Sequence, residues 1–112
     1  MKTCVLFASL FFLVGCFSYK SVSVAQSDID RVAATYPDLN LAALKQGQML
    51  YETHCNNCHG YKNPASKDNE GWSKTVPRMA AKINKKKEVL SKTDQELIIQ
   101  FLVTVGGKPK DS

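Results

Sequence analysis

Cys55-Asn56-Asn57-Cys58-His59 is the stretch that most restricts how this chain folds. Two thiols three positions apart share one helical turn, and an imidazole follows at once. That spacing suits covalent attachment of a porphyrin. Both sulfurs reach vinyl groups on one edge of the ring, and the imidazole lies beneath it at the iron. One c-type haem is the expected cofactor, because the pattern occurs once. Other readings of these residues stand beside it. Cys55 and Cys58 could be half of a zinc site, with His54 and His59 nearby. A structural zinc takes four ligands, usually from two separated pairs, and no Cys or His follows His59. A thioredoxin-like dithiol needs a βαβ setting, and no alternating strand pattern is visible.

The chain starts Met1-Lys2-Thr3 and is apolar from Cys4 to Val14. A bilayer span needs about 20 apolar residues, so this short run reads as an export signal. Leu13-Val14-Gly15-Cys16 fits a lipobox, in which cleavage precedes a lipid-modified cysteine. Residues 1–15 are then the lipoprotein signal peptide and Cys16 is the lipidation site. The alternative is an ordinary signal cut near Ala25, with Cys16 discarded. Of the 4 cysteines, Cys4 falls in the signal, Cys16 takes lipid and Cys55 and Cys58 take haem. None is left for a disulfide. Haem attachment of this kind occurs outside the cytoplasm, so both signals agree on a periplasmic, membrane-anchored lipoprotein.

Residues 16–36 are rich in Ser, Val and Ala with scattered charge. They read as a flexible tether, with a short helical turn at 29–34. A free chain of ~20 residues has a root-mean-square reach of roughly 25 Å. The folding domain is expected over 37–107, with 108–112 as a tail. A domain of about 70 residues is marginal without a staple, and a haem supplies apolar surface for short helices to pack on.

Periodicity within the domain is helical. Asn40 is the expected N-cap of a helix from Leu41 to Thr53, with Leu41, Leu44, Gly47 and Tyr51 on one face. A mid-helix glycine costs about 1 kcal/mol relative to alanine. Gly47 is therefore expected to admit a second helix closely, the alternative being a merely tolerated glycine. A further helix spans 72–83, with Trp72, Val76, Met79 and Ile83 on one face. Pro77 implies either a start near Thr75 or a kink. Thr93-Asp94-Gln95-Glu96 fits a capping box, and Leu97, Ile98, Phe101, Leu102 and Val105 form the stripe behind it. Gly106-Gly107 would end that helix, and Pro109 follows. Fold class is all-α, with three to four short helices.

Gly47, Tyr51, Cys55-x-x-Cys58-His59, Trp72-x-x-x-Val76-x-x-Met79 and the 93–102 helix together resemble class I cytochromes c, specifically small bacterial monohaem members. The resemblance covers about 39–105. It implies a small cytochrome c fold in which the helix bearing Gly47 crosses the C-terminal helix at Ile98 and Phe101. It also implies that a carbonyl in Asn63-Pro64-Ala65 accepts from the ring nitrogen of His59 that faces away from iron.

His59 is the expected proximal iron ligand, and the distal one must come from later in the chain. Met79, 20 residues on, is the candidate. Met49 precedes the motif and is expected in the core, and His54 is too near to reach round the ring. Lys82 and Lys85–Lys87 would be unusual ligands. With His59 and Met79 both bound, the iron has no open position, and thioether ligation favours the reduced state. The chain then reads as a one-electron carrier and not an enzyme, with no small-molecule substrate. An open sixth position would instead make a small peroxidase or gas-binding sensor, and a third reading is a haem relay subunit of a larger respiratory complex.

The chain carries a formal charge of +5. Lys85-Lys86-Lys87, with Lys82 nearby, would steer acidic redox partners, or else form a solvated loop. Export and the lack of interleaved aromatics argue against nucleic acid. Arg78 or Trp72 is a candidate partner for a haem propionate.

Overall fold

The computed structural model describes residues 21–55 and 63–107. Among these residues lie four α-helices and no strand: α1 (Gln26–Val32), α2 (Leu41–His54), α3 (Asn69–Ile83) and α4 (Lys92–Gly106). A short 3-10 turn, Pro64–Ser66, precedes α3. The chain is all-α over this range, as its periodicity predicts. No helix among the described residues is long and apolar enough to cross a membrane. The readings placed on 1–15, Cys16, Cys58, His59 and 108–112 lie outside the described residues.

α2 starts where the sequence indicates. Asn40 Oδ1 accepts from the Ala43 N–H at 2.8 Å, relieving one of the orphan donors of the first turn. Leu44, Gly47, Leu50 and Tyr51 turn inward and are buried. They meet α4 in a crossing too close for any side chain at position 47. A methyl there would strike the Leu97 carbonyl oxygen and lie 3.1 Å from Phe101 Cβ. One turn later the Tyr51 and Phe101 rings pack with centroids 5.7 Å apart, tilted by 42°, a favourable aromatic arrangement.

α4 is the hub of the fold. α1, α2, α3 and the 3-10 turn all pack against it, whereas α2 and α3 scarcely touch each other. Its buried set is consequently wider than one stripe and includes Ile98, Ile99, Phe101, Leu102 and Thr104. Its N-cap is Ser91, two residues earlier than the expected Thr93. Ser91 Oγ accepts from Asp94 N at 3.1 Å and Asp94 Oδ2 accepts from Ser91 N at 3.0 Å. The reciprocal box is therefore closed by a shorter aspartate, a variant that the Glu/Gln pattern passes over.

Two further boundaries differ from expectation. α3 begins at Asn69, not Trp72, because Asp68 Oδ1 caps Gly71 N at 2.8 Å. It runs through Pro77, whose ring is exposed, so the missing N–H falls on the solvent side. The other difference concerns the stretch taken as a tether. Its described part, 21–36, is packed, and α1 covers 26–32 rather than 29–34. Val22 and Val24 lie half-buried on the core between exposed Ser21 and Ser23. Ile29 is buried in it. Apolar residues in a two-residue alternation followed by a helix of only 7 residues show no one period, which is why the stretch reads as loose.

Tyr36 closes the core beside Leu39. Its buried hydroxyl has no hydrogen-bond partner among the described residues. Burial, and then the nearby Glu96 carboxylate, push the phenol above 10.0.

Candidate functional site

The sequence places its chemistry at the end of α2, and the described half of that motif is Cys55. Its N–H donates to Tyr51 O at 2.9 Å, so the thiol-bearing residue is carried by the last helical turn. Cys55 is buried in the same apolar cluster as Tyr51, Trp72, Val76 and Phe101. His54 beside it is half-buried. Among the described residues no three His, Cys, Asp or Glu side chains gather as a metal site.

At the 3-10 turn that follows Asn63, two helices converge on Pro64. Asn63 Oδ1 accepts from Ala65 N at 3.0 Å. Trp72 donates its indole N–H to Pro64 O at 3.0 Å. Gly106 of α4 abuts the same carbonyl, and a methyl there would collide with it. Gly106 is thus required by close approach to Pro64. It is the last residue of α4, and Gly107 behind it has φ −83°, so neither supplies a left-handed stop. The sequence shows the Gly-Gly pair and not its purpose. Trp72 has a single N–H, and Pro64 takes it, so the expectation that Trp72 hydrogen-bonds a propionate is corrected.

α3 brings Trp72, Val76 and Ala80 fully into the cluster, while Met79 and Ile83 rest half-buried at its edge. Met79 therefore shares an apolar cluster with Cys55 although 24 residues separate them. Met49, the rival methionine, is 51% exposed on the outer face of α2 and not in the core. The reason is its register: Leu50 and Tyr51 occupy the inward positions of that turn.

Lys82 and Lys85–Lys87 are all exposed. The loop that carries the latter three is held by Asn84, a residue the sequence does not single out. Asn84 Oδ1 accepts from Val89 N at 2.8 Å and Leu90 N at 2.9 Å, and its Nδ2 donates to Leu90 O at 2.8 Å. Buried Leu90 anchors the far end of the loop. The lysines are displayed on a closed loop and not on a slack one. A side-chain amide has an acceptor and a donor on one carbon, which lets Asn84 take both N–H groups and still donate to Leu90 O.

Compared with protein-family models, with curated proteins and with solved structures, the chain finds no match.

Proposed function

We propose that this chain is a one-electron carrier of the class I cytochrome c type, with a single haem c joined to Cys55 and Cys58. His59 is the proximal iron ligand and Met79 the distal one. The observation that carries the reading is the Cys55-x-x-Cys58-His59 motif at the end of a helix, its first thiol buried in the cluster that receives Met79. The described residues fit the group. α2 and α3 share α4 as a partner yet scarcely touch each other, and Met79 and Ile83 are left only half covered. When bound, the haem supplies one-electron exchange at iron. The chain's own part is to hold, bury and bias. Gly47 brings α2 onto α4, which sets the position of Cys55. The α3 face excludes water, and a thioether ligand favours the reduced state.

The export reading gains support from the packed N-terminal segment. Cleavage near Ala25 would discard Ser21, Val22 and Val24, which pack on α2 and the core. Cleavage before Cys16 keeps them. We therefore place the protein on the exported side of a membrane, lipid-anchored at Cys16. The exposed Lys82 and Lys85–Lys87 face acidic redox partners, with no nucleic acid and no small-molecule substrate.

The test is to produce the full chain in a host that attaches c-type haem. The purified protein should be red, and its mass should exceed that of the lipidated chain by one haem. Met79→Ala should open the iron to carbon monoxide, which the parent protein should not bind. Colourless protein with the mass of the bare chain and its lipid would overturn the reading. A red parent protein that binds carbon monoxide readily would replace the carrier by the peroxidase or gas-sensor alternative.

A further inference from the structure

The segment read as a tether is bonded to both crossing helices. At its start, Ser21 Oγ donates to Glu52 Oε1 at 2.7 Å, and Gln48 Nε2 donates to Ser21 Oγ at 3.2 Å and to Val22 O at 2.6 Å. Further along, Arg31 Nη2 donates to Thr104 O at 2.8 Å and sits 3.1 Å from Asp28 Oδ1. Asp28 Oδ2 in turn accepts from Ala25 N at 2.9 Å. A guanidinium at the last turn of α4 meets carbonyls that have no helical partner and the negative end of the dipole. The segment is a clasp across α2 and α4.

This shortens the leash. Only the span from Cys16 to Ser21 separates the proposed lipid from a residue held on α2. Even fully extended, five residues cover about 18 Å. The outer face of α2 is thereby kept close to the anchor. That face fits the company. Met49 is 51% exposed there, Lys45 is exposed, and the helix's one carboxylate, Glu52, is half-buried under Ser21 and Gln48. An open groove of about 450 Å³ runs between this face and the clasp, lined by Val22, Val24, Lys45, Gln48 and Met49 among others. Anionic headgroups suit the lysine, and the acyl boundary suits the methionine.

We infer that the outer face of α2, around Lys45 and Met49, lies on the lipid surface, so that the domain is held in one orientation instead of roaming on a long tether. The inference rests on the proposed lipid at Cys16.

Its test places a nitroxide spin label on the haem-loaded full chain in phosphatidylethanolamine/phosphatidylglycerol vesicles, at Met49→Cys or, separately, at Lys86→Cys. Collisions with dissolved oxygen, which concentrates in lipid, and with a water-soluble nickel chelate are then compared. The expected result is a several-fold higher oxygen-to-nickel ratio at position 49 than at 86. That contrast should collapse when Ser21→Ala and Gln48→Ala release the clasp, with helical content unchanged. Equal ratios at the two positions in vesicle-bound protein would overturn the orientation and leave the anchor standing. Protein that does not stay with vesicles at all would overturn the anchor reading, and this inference with it.

Discussion

The α2–α4 crossing and the apolar face of α3 are built to different degrees of closure. At the crossing, Leu44, Tyr51, Ile98 and Phe101 are at most 1% exposed and Gly47 brings the two backbones together. On α3, Trp72 and Ala80 are as deeply buried, but Met79 and Ile83 are only partly covered, and α2 scarcely packs on that side. One region is closed by the polypeptide itself, and the other is left half covered at the edge where the proposed haem would pack. The contrast teaches where stability and where chemistry should respond to mutation.

The most damaging change should be Phe101→Ala, which removes the ring shared with Tyr51 and leaves a cavity at the crossing. A loss of about 3–5 kcal/mol is expected in urea unfolding of the haem-loaded protein. Gly47→Ala should follow, at about 3 kcal/mol, despite alanine's better helix propensity, because the methyl meets the Leu97 carbonyl. If Gly47→Ala proves neutral, the crossing is looser than described and the contrast fails. Trp72→Phe keeps most of the buried surface and loses the bond to Pro64 O, for about 2 kcal/mol. Met79→Leu sharpens the comparison from the other side. It should cost no more than about 1.5 kcal/mol yet change the visible spectrum and admit carbon monoxide. A variant that unfolds instead would make Met79 a core residue like those of the crossing.

The smallest effect is expected at Tyr36. Tyr36→Phe removes a buried hydroxyl that has no partner among the described residues and should leave stability within about 0.5 kcal/mol at neutral pH. The folded phenol titrates above 10.0. Its contribution is therefore complete below that pH and declines as pH rises through the folded value. Thermal melts should lose this alkaline decline in the Phe variant.

The fold was legible where one periodicity spoke alone. Asn40, Leu44, Gly47 and Tyr51 announce α2, its cap and its crossing, and the stripe from Leu97 to Val105 announces α4. The boundaries that moved did so through short polar side chains. Asp68 and Ser91 cap helices whose first turns read as loop, because capping depends on one rotamer rather than on a repeating pattern. The clasp at 21–36 is hidden for a related reason: Gln48 and Arg31 act across long sequence separations. In the candidate site, the motif containing Cys55 is visible in a line of sequence. The convergence of Trp72 and Gly106 on Pro64 is not, since it joins α3, α4 and the 3-10 turn, which only the tertiary fold brings together.

Because α4 is the shared neighbour of every other element, no shorter version of this polypeptide can bury α2 or α3. The part of α4 that meets α2, at Leu97 and Phe101, must emerge before that crossing can close. On the export reading proposed above, a chain threaded outward through a membrane pore would stay open until α4 had crossed, and the Cys55 thiol, buried in the finished fold, would be accessible during that interval.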